Sequence, residues 1–249
     1  ESTLLDRCPT PAAWRRIWQL QAATTGLAVM NKAIWAIVYR VADTNRRRYL
    51  EWFHEVHIPD KLARPGYTWA AHYTDAAPGA CGEPLYVALF GGTETRVFFD
   101  PSPAQLKLTQ DDLTREMMSC RVDSSAHILG EEWCVNRTDR RAGRIDAPAV
   151  RVTARALSCG QDESFGAWCA QEYFPELARS RELLQARKYF ASSGPAKHVI
   201  IEEFASVGAC DEAPRRALKS EWHRELRSSM SCPLPRLPTL VCLWPPRGR

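Results

Sequence analysis

Trp52-Phe53-His54-Glu55-Val56-His57-Ile58-Pro59-Asp60, closed a few residues later by Arg64-Pro65-Gly66-Tyr67, is the stretch on which the fold turns. It lies in a segment from Arg46 to about Arg64 in which Tyr49, Trp52, Phe53 and Val56 recur at helical spacing. Pro65-Gly66 ends that helix, because proline disfavours helix before it and glycine suits the C-terminal cap. Outward from it, Ile34–Val41 reads as a strand on the N-terminal side, and Tyr67–Tyr73 as a second strand. The Pro/Gly-rich loop Ala77–Glu83 leads to a third strand, Leu85–Phe90. A helix over Pro103–Met118 and a strand near Ile128–Val135 complete the order β-α-β-β-α-β.

The same order then begins again. Asn136–Pro148 is polar, rich in arginine and unpatterned, and is followed by a strand at Val150–Leu157 and a helix from Ser164 to about Leu184. Gln185–Phe190 and Val199–Phe204 flank a Ser-Gly-Pro turn, Ala213–Met230 reads as a helix, and Thr239–Trp244 is the last strand. A shift of 116 residues superposes Trp52 on Trp168, Pro59 on Pro175, Ala70 on Ala186 and Tyr73 on Tyr189. Near-matches at Tyr49/Phe165, Glu55/Gln171, Ile58/Phe174 and Asp60/Glu176 support an internal repeat. Each unit is a split βαβ sheet with both helices on one face. Its bare apolar face needs a partner, and two such faces packed together supply one, with the space between the sheets expected as a pocket.

The helix motif, aromatic–x–x–Glu–x–His–x–Pro ahead of a Pro-Gly turn, resembles that of the dimeric α/β-barrel superfamily and, within it, the EthD-like group. The resemblance implies an α+β fold: two ferredoxin-like βαββαβ repeats packed sheet-to-sheet as an intramolecular dimeric α/β barrel. The expected division is an N-terminal helical extension, accessory or foreign, over residues 1–31, and a first repeat over 32–136 that bears the candidate site. A linker over 137–148 and a second repeat over 149–249, its site degenerate, complete it. In the extension Thr10 and Pro11 mark a helix start, Trp14, Ile17 and Trp18 share a face, and Met30 resembles a translation start.

Composition narrows the function classes. Lys+Arg 33 against Asp+Glu 29 is too balanced to argue for nucleic acid, and the arginines around Arg140–Arg144 read as a solvated connection. No apolar run is long enough for a membrane span. Nine scattered cysteines without a Cys-x-x-Cys pair indicate neither a disulfide framework nor a zinc ribbon, and fit a cytoplasmic protein with reduced thiols. Neither a phosphate-binding glycine fingerprint nor a Gly-x-Ser-x-Gly elbow is present.

The candidate site therefore rests on the first repeat. His57 is the leading candidate for proton transfer, since imidazole titrates near neutrality and the resemblance implies a pocket histidine there. His72 and Tyr73 are its candidate catalytic partners; they alternate across a strand, so only one of them faces a given side. His54, one helical turn from His57, and Tyr67 and Trp69, expected to share a face with Tyr73, are the substrate-binding candidates. Two histidines three residues apart lack a third metal ligand, so no metal is expected. The second repeat carries Ala170, Tyr173 and Lys188 where the first has His54, His57 and His72. His127, His198 and His223 have no partner motif, and Trp222-His223-Arg224-Glu225 reads as solvated helix.

Three functions stay open. One is a cofactor-independent enzyme (cyclase, isomerase, lyase or monooxygenase type) acting by histidine-mediated proton transfer on an apolar aromatic or polyketide-like molecule. Another is a non-catalytic small-molecule-binding or stress-associated protein, and the third a haem-binding oxidoreductase. The expected partner is an apolar small-molecule substrate, without nucleic acid, membrane or cofactor, and a homodimer of duplicated chains remains open.

Overall fold

The computed structural model describes residues 32–77, 83–136, 143–213, 217–231 and 237–246. The expected N-terminal helix, most of the Pro/Gly-rich loop, the arginine-rich start of the linker and the proline-rich turn before the last strand lie outside them. In the first half, β1 (Ala33–Val41) leads to α1 (Asp43–Trp52), a π turn (Phe53–His57) and α2 (Ile58–Leu62). Then come β2 (Tyr67–Asp75), β3 (Leu85–Gly92), α3 (Pro103–Leu108), α4 (Asp112–Ser119) and β4 (Arg121–Asn136). The second half follows with β5 (Ala149–Leu157), α5 (Asp162–Trp168), a second π turn (Cys169–Tyr173) and α6 (Phe174–Arg179). It ends with β6 (Leu183–Ser193), β7 (His198–Phe204), α7 (Val207–Glu212), α8 (Glu221–Arg227), a short β8 (Met230–Ser231) and β9 (Leu240–Trp244).

Each half pairs its strands as an antiparallel sheet, β4-β1-β3-β2 in the first and β9-β5-β7-β6 in the second. Two antiparallel seams, β4 with β6 and β2 with β9, join the sheets edge to edge. The eight long strands thus close on themselves, which leaves neither sheet with an open edge. The fold is an α+β barrel of two ferredoxin-like halves, the intramolecular form of a dimeric α/β barrel.

Closure explains why β1 and β3 are buried along nearly their whole length. Alternate residues face the barrel interior and the helices, and both sides are dry. Ile34, Ala36 and Val38 meet Val87, Leu89, Tyr73, Val150, Val152 and Tyr189 inside. Trp35, Ile37 and Tyr39 face outward to Trp52, Phe53 and Met117. The space between the sheets is therefore core, not the pocket expected there. Its filling includes the buried Arg187, paired with Glu131 at 3.4 Å. Ile145 and Ala147 of the supposedly unpatterned linker join the same cluster, and Tyr73 Oη donates to the Ala147 carbonyl at 3.2 Å.

Several boundaries differ from expectation. The helix expected over Pro103–Met118 is two, α3 and α4, because the Asp111 side chain caps a new start by accepting from the Thr114 N–H at 2.7 Å. β4 begins at Arg121 because its N-terminal part pairs with β1 before its C-terminal part pairs with β6. The helix expected to reach Leu184 ends at Arg179: Ser180 is extended, and Leu183 already pairs with Phe204. Over Ala213–Met230 one long helix gives way to a short 3₁₀ turn and α8, because the Ser220 side chain caps a new start by accepting from the His223 N–H at 3.1 Å. Gly66 adopts φ +83°, the left-handed cap predicted for the Pro-Gly stop. Among the described residues no helix is long and apolar enough to cross a membrane.

Candidate functional site

The first-half histidines come together in the layer between helices and sheet. The π turn, which widens the helix by one residue, carries both His54 and His57. His54 Nε2 lies 2.8 Å from His72 Nδ1, and His72 Nε2 lies 2.9 Å from Tyr39 Oη, so a hydrogen-bonded chain runs from half-buried His54 to fully buried Tyr39. Arg121 lies 4.4 Å from the centre of the Tyr39 ring, and its Nε donates to Tyr49 Oη at 2.6 Å. His57, also buried, packs between Trp52 and Phe53 at ring distances of 4.7 and 5.3 Å. Burial, reinforced by Arg121, pushes the proton affinities of His57 and His72 well below the usual imidazole range. Burial likewise raises the Tyr39 phenol well above its usual value. The layer here is packed with rings around the Arg121 guanidinium: Phe53 lies 4.6 Å and Tyr86 5.3 Å from His72.

The remaining candidates are dispersed. Tyr73 and Trp69 face the barrel interior, on the side of β2 opposite His72. Tyr67 does not share their face as expected. β2 is bulged there, with Tyr67 opposite Gly92 and Trp69 opposite Gly91. The extra residue turns Tyr67 toward the helices, edge-on to Phe98 at 5.0 Å. Trp69 in turn lies across Gly91, where any Cβ would stand 1.9 Å from its indole Nε1.

The corresponding layer of the second half holds a partly open chamber of about 740 Å³. Ladder register shows why. In the first half Trp35 sits opposite Phe90, and Ile37 and Tyr39 follow along β1. In the second half Arg151 sits opposite Glu202, and Thr153 and Arg155 follow along β5. Aromatic bulk is thus replaced by shorter or extended polar side chains at the helix-facing positions. Phe165, Trp168, Tyr173 and Ile200 line the apolar part, while Asp211, Lys219 and Arg227 bring charge to the wall. Arg151 Nε stands 3.0 Å from Glu202 Oε2, its Nη2 donates to the Cys210 carbonyl at 3.1 Å, and Tyr173 Oη donates to Glu202. Burial and then the Glu202 carboxylate push the Tyr173 phenol well above its usual value.

His223, read from sequence as solvated, lines this chamber. Its ring lies 5.0 Å from that of Trp168, and Nδ1 is 2.7 Å from the Leu218 carbonyl oxygen. A carbonyl only accepts, so Nδ1 carries the proton and Nε2 holds the lone pair. Burial lowers its proton affinity, and Arg155 and Arg227 lower it further. A helical reading anchored on buried Leu226 would have placed His223 and Trp222 on the inward face, three and four residues before it. Arg151 and Glu202, far apart in sequence, gave no comparable signal. His198, also buried, bonds Asp162 at 2.8 Å and lies 3.3 Å from the Nζ of Lys188, the residue standing where the first half has His72. His127 accepts from the Ala196 N–H at 3.1 Å. Among the described residues no three His, Cys, Asp or Glu side chains are grouped to hold a metal.

No family model and no curated protein matches this chain. Solved structures do. An anthrone oxidase-like protein superposes with a TM-score of 0.59 at 11% identity, over 87% of this chain and 94% of its own. A candidate monooxygenase from Lactobacillus acidophilus NCFM gives 0.50 at 16% identity, over 85% and 94%. A candidate chlorite dismutase gives 0.50 at 13%, over 86% and 94%. The likeness is one of fold. This chain shares their architecture over most of its length.

Proposed function

We propose that this protein is a small-molecule enzyme whose second half takes up an apolar aromatic or polyketide-like compound and moves a proton on it without a cofactor. The observation that carries the reading is the chamber beside Trp168, lined by aromatic and by charged, mostly basic, side chains. Small-molecule sites generally combine an apolar lining with a few convergent polar groups. Structural neighbours named as monooxygenase and anthrone oxidase-like support an enzyme over a passive module. The roles inferred for the first-half histidines pass, in this reading, to the second half; the Tyr39–His72–His54 chain becomes a buttress of the packed layer. We also read the two halves as a tandem duplication of an EthD-like unit. Its support is that both first helices carry a π turn at positions related by the same shift of 116 residues, Phe53–His57 and Cys169–Tyr173.

Calorimetric titration with 2-naphthoate tests the chamber. Saturable binding is expected, and Thr153→Trp, which fills the space as Trp35 and Tyr39 fill its counterpart, should abolish it without lowering the melting temperature. Absent binding, or equal binding by the filled variant, refutes the reading. A second reading, haem binding, draws support from His223: an imidazole that lines a cavity with Nδ1 held on a carbonyl leaves Nε2 as the atom that would ligate iron. Arg155 and Arg227 would then hold the propionates. A Soret band after incubation with haemin, lost in His223→Ala, would favour this reading over the first.

A further inference from the structure

We infer that His223 is the general base of the second-half chamber and Arg155 the group that receives the oxyanion it generates, so that the substrate is an aromatic keto acid with an enolisable carbon. This rests on the chamber reading proposed above and names its chemistry. Three observations lead there. The hydrogen bond from Nδ1 to the Leu218 carbonyl locks the ring in one tautomer and one orientation, leaving Nε2 as the basic atom of a ring that lines the chamber. A base held this way needs no reorientation before it acts. Arg155, which lines the same chamber from β5, spends one donor on the Ala154 carbonyl at 3.0 Å and makes no ion pair among the described residues. Its neighbour Arg151 is tied to Glu202. A guanidinium offers five N–H groups, so Arg155 retains donors for an anion.

The third observation is Glu172. Its Oε2 is buried with no hydrogen-bond partner among the described residues, and the carboxylate lies close enough to raise the proton affinity of His223. Burial, and after it Arg155 and Arg227, act in the opposite sense and favour the neutral imidazole. His223 thus lies within electrostatic reach of a cation suited to the product anion and of a carboxylate suited to the imidazolium.

The step balances without an oxidant. Nε2 takes a proton from the carbon beside the carbonyl, and the C–H electron pair becomes the enolate π bond. The carbonyl π pair moves to oxygen, where the negative charge faces Arg155. The imidazolium, facing Glu172, returns its proton to carbon to restore the ketone or to oxygen to release the enol. Trp168 and Phe165 supply flat apolar surface for the aryl group, and Lys219 and Arg227 basic groups for the carboxylate.

Phenylpyruvate carries these features, and exchange of its benzylic hydrogens in D₂O, followed by proton NMR, reads the step directly. The wild-type protein should accelerate exchange over buffer. His223→Asn keeps an N–H for the Leu218 carbonyl but has no Nε2, so it should lose about 10²-fold or more of the rate while binding phenylpyruvate within a few-fold of wild type. A purely structural histidine would show no such split. Arg155→Met should lower the rate and weaken binding together. Unchanged exchange in His223→Asn, or bound phenylpyruvate that does not exchange in the wild type, overturns the assignment of the base. Binding of 2-naphthoate without phenylpyruvate overturns the substrate class alone. If neither binds, the chamber reading falls with it. Matching thermal melts establish that each variant is folded.

Discussion

Transplanting the first half's solution into the second is the sharpest test of why one layer is packed and the other hollow. Arg151 and Glu202 face each other across β5 and β7 where β1 and β3 carry Trp35 and Phe90. Both charges are desolvated: the Arg151 side chain is 16% exposed and that of Glu202 1%. Replacing Arg151 by Met removes the cation seen against Glu202 and the donor to the Cys210 carbonyl. Removing one partner of a buried pair costs about 3–5 kcal/mol, and the residual exposure of Arg151 points to the lower end, about 3 kcal/mol. For a chain of this size that is a fall in melting temperature of roughly 6–12 °C. The double variant Arg151→Trp/Glu202→Phe copies the first-half pair. It removes both charges, fills chamber volume with rings, and should recover part of the loss, because an apolar pair of suitable size replaces a buried ion pair at little cost while the Tyr173 hydroxyl and the Cys210 carbonyl lose their partners. Urea unfolding of the wild type, Arg151→Trp, Glu202→Phe and the double variant gives the coupling energy directly, with Arg151→Met as the simple truncation. The double variant should also fail to bind 2-naphthoate. A double variant no more stable than Arg151→Met alone, or an Arg151→Met variant within experimental error of wild type, would refute the argument.

Acid should unfold the protein through its buried histidines. His57 and His72 stay neutral when folded, since burial holds both well below the usual imidazole range, whereas in the unfolded chain each binds a proton near pH 6.5. Their stabilising contribution is complete above that value and is lost as pH falls below it, at up to about 1.4 kcal/mol per pH unit for each ring. Urea midpoints compared at about pH 7 and about pH 5.5 should show the loss, and His57→Gln should reduce its slope by up to one proton; an unchanged slope contradicts the burial of His57. Gly91→Ala drives a methyl into the Trp69 indole, and should cost about 1–3 kcal/mol by overpacking. Trp69→Leu in the same background should recover part of it in a thermal melt, and no recovery would place the strain elsewhere.

Much of the architecture is legible locally. Runs such as Ile34–Val41 and Val199–Phe204, helical spacing through Tyr49, Trp52 and Phe53, and stops such as Pro65-Gly66 are properties of neighbours in the chain. They determine two rounds of β-α-β-β-α-β, and a bare apolar face on each sheet implies that the two pack together. Even the shift of 116 residues relating the halves reappears as paired π turns.

What the sequence by itself left undecided depends on distant residues. The bulge that turns Tyr67 from Trp69 arises from pairing with β3, and the length of β4 from having β1 on one side and β6 on the other. The three first-half histidines were found because a compact motif carries two of them, but a motif does not say whether the space around it is empty. That is a matter of volume: Trp35, Tyr39, Phe53 and Phe90 fill one helix–sheet layer, while Arg151, Thr153 and Arg155 leave the other open around His223. Only closure of the barrel, which sets strands far apart in sequence into one register, decides where this protein has room for a ligand.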